Sequence, residues 1–150
     1  KFYTSEHSDN VTISGTEISN SIIDTRDGDD FISIGKNANI QDTSKIDGGA
    51  GNDTLKIADS SIDFSRVKNF EKLDLTNGER TEITLRASDV LNMTDSRNKL
   101  TIDGDGNDKL NLSGFDRNTA RAVGSDYTEY TSTDGTVKIE VKNDITEITF

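Results

Sequence analysis

Apolar residues recur one position apart along most of the chain: Val11/Ile13, Ile32/Ile34, Leu55/Ile57, Leu73/Leu75, Ile83/Leu85, Leu100/Ile102 and Leu110/Leu112. Each pair lies in a short alternating run bounded by Gly, Asn, Asp or Ser, the pattern of a strand with one buried face and turns at its ends. Very short strands at recurrent spacing, with no helical period over most of the length, predict stacked turns in which each pair is buried only by the turns above and below. The fold class expected is all-β: a parallel β-roll or β-solenoid. The absence of Pro fits, because nearly every strand would need its N–H for a parallel ladder.

Three segments depart from this pattern. Asp59 to Asn69 spaces Ile62, Phe64 and Val67 irregularly and is expected to bulge out as a loop or a single helical turn. Arg86 to Met93 is the best helix candidate, with Val90, Leu91 and Met93 facing inward; at about two turns it must rely on packing. Tyr127 to Tyr130, Val137 to Val141 and Ile145 to Phe150 alternate around an Asp134-Gly135 turn, which predicts an antiparallel cap over an otherwise bare sheet edge. The division expected is one domain, with stacked turns over 1–112, a loop over 113–126 and capping strands over 127–150.

The turns carry the candidate chemistry. Gly48 to Lys56, G-G-A-G-N-D-T-L-K, matches the calcium-binding nonapeptide G-G-x-G-x-D-x-U-x at every position. Its glycines permit positive φ in a tight turn, the turn presents carbonyls, and Asp53 adds a carboxylate. Oxygen donors without Cys or His suit Ca²⁺ and argue against zinc or copper. Two degenerate copies accompany it. Asp27-Gly28-Asp29-Asp30-Phe31-Ile32 aligns Asp30 with Asp53, with Thr25 and Arg26 in place of the leading glycines; Asp103-Gly104-Asp105-Gly106-Asn107-Asp108 precedes Leu110. Asp103, Asp105 and Asn107 also alternate as EF-hand ligands would, but position six is then Asp108 and position twelve Gly114, and flanking helices are missing, so that reading is rejected.

Composition narrows the picture. Only 30% of the 150 residues are apolar and the net charge is −11, values that lean toward disorder in an ordinary globular chain. A thin repetitive core whose acidic turns repel one another until cations neutralise them reconciles that charge with the regular apolar pattern. Nucleic acid is excluded as a partner by the lack of a basic footprint, and membrane insertion by the lack of a spanning apolar run. There is no Cys, hence no disulfide, and one His leaves no Ser-His or Cys-His catalytic set, so no enzymatic activity is expected. The chain begins at Lys1 without Met, which reads as part of something longer.

The nonapeptide at Gly48–Lys56 resembles the repeats-in-toxin (RTX) motif of proteins exported by Gram-negative type I secretion systems. Phe70 to Leu112, with F-E-K-L-D-L-T-N-G, then T-L-R-A-S-D-V-L-N-M-T-D-S and L-T-I-D-G-D-G-N-D-K-L-N-L, is similar to the module near the C-terminus of large RTX adhesins and biofilm-associated surface proteins. The resemblance covers roughly Asp24 to Phe150. It implies a monomeric, structural module, secreted to the cell surface, that passes the type I secretion machinery unfolded and folds on extracellular calcium. Weak extracellular calcium modules have Kd near ~10⁻⁴–10⁻³ M, empty in a cytosol and filled outside it. Carried over by position, Asp53 is the leading calcium ligand, with carbonyls of Gly49 and Gly51 and with Asn52. Asp30 acts from the matching position beside Asp27 or Gly28, and Asp108 with Asp105 and Gly106 forms a third candidate. Only one copy is clean, so few ions are expected. An alternative role is a carbohydrate- or surface-ligand-binding module on the same scaffold, like the R-modules of alginate epimerases; such a face would show aligned aromatic or basic residues, and the outward positions Ser33, Lys56, Asp74, Thr84, Thr101 and Asn111 do not.

Overall fold

The computed structural model describes residues 1–15, 17–41, 43–58 and 62–150, with the main chain alone at Asn39. The protein is all-β with largely parallel sheets, and the chain makes repeated passes through the same sheets. The first pass lays down β1 (Phe2–Tyr3), β2 (Asn10–Ile13) and β3 (Glu17–Ser19). The second lays down β4 (Ile22–Asp24), β5 (Phe31–Ile34) and β6 (Asn39–Gln41), each paired in parallel with its counterpart. The third adds β7 (Lys45–Asp47) and β8 (Thr54–Ile57); the fourth adds β9 (Val67–Lys68), β10 (Lys72–Asp74) and β11 (Glu82–Arg86). In the fifth, α1 (Ala87–Met93) precedes β12 (Lys99–Asp103) and β13 (Lys109–Ser113).

Apolar pairs stack because the register places like on like. Val11 lies opposite Ile32, Ile32 opposite Leu55, and Leu55 opposite Leu73, with the second members Ile13, Ile34 and Ile57 aligned beside them. Most are buried within one continuous core, whose largest fully buried side chain is Phe70. At β12 the register slides by two residues, so that Leu73 meets Ile102 rather than Leu100. A slide of two preserves which face each side chain takes.

Four expectations need correction. The 113–126 segment is not a loop: β14 (Phe115–Val123) runs antiparallel to β15 (Tyr127–Ser132). Apart from Phe115, its residues are half-buried or exposed, so an edge strand wet on both faces shows no alternation. The capping strands are only partly antiparallel. β15 pairs antiparallel with β16 (Lys138–Lys142), but β16 runs parallel to β12, and β17 (Glu147–Thr149) runs parallel to β13, forming a sixth pass. Asp59 to Asn69 holds the single helical turn expected of it, but its described part does not bulge away. A 3-10 turn at Phe64–Arg66, capped by Asp63 accepting from Ser65 N–H, leads into β9 beside β7, and Phe64 and Val67 are buried; Asp59 to Ser61 lie outside the described residues. The helix matches its predicted position, but Leu91 is 46% exposed while Val90 and Met93 are buried. α1 stands where the first strand of a pass would be, with Phe70 N–H donating to Met93 O.

Candidate metal centre

The corner between β7 and β8 holds the nonapeptide, and it lies directly against the corner between β4 and β5. Gly49 has φ +90° and Gly51 φ +150°, and a Cβ on them would lie 1.6 Å from Arg26 O and 1.9 Å from Gly28 O. These glycines therefore let two stacked corners touch through their main chains. Ala50 N–H donates to Arg26 O at 2.8 Å and Gly28 N–H donates to Ala50 O at 2.9 Å, a small parallel bridge. In the earlier copy Arg26 takes the Gly49 position with φ +68°, and its guanidinium lies 5.3 Å from the Tyr3 ring centroid. Thr25, in place of Gly48, donates its hydroxyl to Gly48 O at 2.9 Å. The substitutions that weaken the motif on paper are thus accommodated.

Asp30 and Asp53 are brought together, twenty-three residues apart, as the last residue before β5 and before β8. They belong to a longer row. Asp9 N–H donates to Asp30 Oδ1 at 2.7 Å, Asp30 N–H to Asp53 Oδ1 at 2.8 Å, and Asp53 N–H to Glu71 Oε2 at 2.9 Å. Asp30, Asp53 and Glu71 each cap the amide of the acid one pass earlier, and all four acids precede a strand in matching register. Asp30 is 2% exposed and Asp53 fully buried, yet Oδ2 of each has no hydrogen-bond partner. Burial, more than any other influence, pushes the Asp53 carboxyl up to about 7; the Asp30 amide opposes this, and the charges of Asp30, Glu71 and Asp29 reinforce it. Glu71 is raised too, again chiefly by burial.

The remaining candidates divide. Asp27 is exposed and bridges to Ala50 through its main chain, while Gly28 is half-buried at the contact between corners. Asn52 turns outward: its Oδ1 accepts from Arg97 at 3.1 Å and its N–H donates to Asp29 Oδ1 at 2.8 Å. Asp108, Asp105 and Gly106 lie elsewhere, at the corner between β12 and β13, which belong to two different sheets. Asp108 is fully buried, but its Oδ1 accepts from Thr81 N–H at 3.0 Å and its Oδ2 from Asp105 N–H at 2.8 Å. Each oxygen thus accepts from one main-chain amide, and burial raises the pKa of Asp108. Among the flanking acids, Asp42 lies outside the described residues.

Asp9 and Glu71 escaped the motif reading because neither has glycines before it. A broader signal holds both: an acid immediately before an x-U-x-U run occurs at Asp9, Asp30, Asp53, Glu71 and Asp108.

The row fits a hard cation in its donor chemistry: all-oxygen groups, stacked like charges, and two buried carboxylate oxygens with nothing to bind. Among the described residues no three acidic or His side chains converge into one cluster, so a centre here would need main-chain carbonyls as well. None of the family models, curated proteins or solved structures compared with the chain matches it.

Proposed function

We propose that this chain is a calcium-dependent folding module of a secreted bacterial surface protein, structural rather than enzymatic. The observation that carries the reading is the pair of buried, partnerless Oδ2 atoms on Asp30 and Asp53 within a row of stacked carboxylates. A buried polar atom without a partner is costly, and an unpaired buried charge far more so. Calcium bound along the row offsets both costs, with Asp53 and Asp30 as side-chain ligands and the nonapeptide turn supplying carbonyls. Weak sites of this kind are empty in a cytosol and filled outside a cell, which suits a chain exported unfolded through a type I secretion channel. The RTX resemblance supports that route and the adhesin parentage.

The ligand-binding alternative is less well supported by the exposed faces. On the large sheet, Lys56 pairs with Asp74, Lys72 with Asp103, Lys99 with Glu140 and Lys138 with Glu129, so the charges there are committed to one another. Tyr127 donates its hydroxyl to Asp103 at 2.5 Å. Tyr130 and Phe150 meet edge-on at 5.0 Å in a groove of about 370 Å³, packed on each other instead of forming a flat platform.

Isothermal titration calorimetry with Ca²⁺ and with Mg²⁺ tests the proposal. The expected result is saturable calcium binding at ~10⁻⁴–10⁻³ M or tighter, with Mg²⁺ much weaker because it demands a compact octahedral shell. No heat and no saturation with calcium up to ten millimolar (about 10 mM, above that affinity range) would overturn it.

A further inference from the structure

We infer that Glu71 is a cation ligand closing the acidic row, so that a centre lies between the third and fourth passes of the chain, beyond the nonapeptide. The inference rests on the calcium reading above and extends it to a segment, Phe70-Glu71-Lys72-Leu73, that carries no glycine turn.

Register makes the case first. Lys72 lies opposite Thr54, which puts Glu71 opposite Asp53 as Asp53 stands opposite Asp30. In each case the acid is two residues before a buried apolar residue, Leu73, Leu55 or Ile32, and so shares the inward face at the end of its strand. Glu71 also repeats the capping contact of the row, since its Oε2 accepts from Asp53 N–H at 2.9 Å. The second observation is a buried atom with nothing to bind: Asp53, fully buried and opposite Glu71 in this register, keeps Oδ2 without a partner.

Glu71 is held in place for the role. One amide, Asp53 N–H, bonds to Oε2, and a carboxylate holding one such bond still has lone pairs for further partners. Arg97 borders the same shallow pocket, but its guanidinium is engaged by Asp95 Oδ2 at 2.7 Å and Asn52 Oδ1 at 3.1 Å. Gly48 and Asn69 bring the two corners together beside Asp53. A Cβ on Gly48 would lie 2.2 Å from Asn69 O and 2.8 Å from Asp53 Cβ, so a main-chain carbonyl lies close to the carboxylate. The register slide at β12 then ends the row, because the position opposite Glu71 in the next pass is Leu100, fully buried. No further acid can continue it, which fixes Glu71 as the last rung.

The test uses Glu71→Gln, which keeps an acceptor for Asp53 N–H and removes the charge. Calcium calorimetry on the wild-type chain and the variant should show one ion fewer, or at least about 10-fold weaker binding, because direct ligands matter no less than the outer-shell partners whose loss costs that much. A wild-type chain that binds calcium while Glu71→Gln binds it with the same stoichiometry and affinity overturns this inference and leaves the calcium reading standing. A wild-type chain that binds no calcium overturns both. Anomalous diffraction from wild-type crystals soaked in Tb³⁺ decides independently of how the variant folds. A peak within coordination distance, about 2.3–2.6 Å, of a Glu71 oxygen is expected, and peaks confined to other positions would overturn the inference.

Discussion

Gly49→Ala is expected to destabilise the fold by about 4 kcal/mol or more, enough to unfold a marginal domain. The residue has φ +90°, where an L side chain is strained by ~1–2 kcal/mol, and the new Cβ would lie 1.6 Å from Arg26 O. That neighbour is main chain held in the bridge between the two corners, so relief requires separating passes of the chain and breaking the Ala50–Arg26 hydrogen bond. Overpacking against yielding side chains costs ~1–3 kcal/mol, and main chain does not yield as readily. Gly106→Ala is the control: its Cβ would find only Asp144 O at 3.7 Å, and the cost should stay below about 1 kcal/mol. Urea unfolding of both variants, in calcium, measures the difference. Equal midpoints for the two would contradict the account of why the nonapeptide needs its glycines.

Asp53→Asn should change sign with calcium. Asn keeps an oxygen for Asp30 N–H and removes one of the stacked charges, so in EDTA at pH 8 the variant should be more stable than wild type by about 1 kcal/mol. In calcium the variant should lose the ligand that the proposed function assigns to Asp53. A bound ion at a hundred times its Kd contributes about 2.7 kcal/mol, and this is the stabilisation the variant should forgo. The metal-free wild type should also respond to pH in a particular direction. Burial, first among the causes, lifts the folded carboxyl of Asp53 to about 7 from 3.8, so the folded state holds that proton more tightly than the unfolded chain. Its stabilising contribution is complete below about pH 4 and disappears as pH rises through about 7. Glu71 and Asp108 are raised as well and act in the same sense. In EDTA the wild type should therefore hold more β structure at pH 5 than at pH 8, and Asp53→Asn should flatten that difference.

The strands were legible because burial on one face leaves a period of two in the sequence. Ile32/Ile34, Leu55/Ile57 and Leu73/Leu75 announce both their strands and their stacking. Strand β14 was hidden by the same logic, since apart from Phe115 its residues are half-buried or exposed and nothing alternates. The slide at β12 was hidden too: Leu100/Ile102 looks like any other pair, and nothing in its pattern marks that Ile102 rather than Leu100 meets Leu73. For the site, glycine chemistry marked Asp53 and its alignment found Asp30. The related turn at Asp103–Asp108 lies at a different corner, outside the row, where Thr81 and Asp105 amides bond to the acid. Glu71 carries no turn signature, and only register brings it into the row.

Calcium titration of the wild-type chain, followed by far-UV circular dichroism and thermal unfolding from EDTA upward, tests the central claim most directly. The account predicts a chain with little β structure in EDTA at pH 8 that gains it with a midpoint near ~10⁻⁴–10⁻³ M calcium or below, and melts higher as calcium rises. The same spectrum and the same melting temperature with and without calcium would contradict it, leaving the acidic row as a set of amide caps alone.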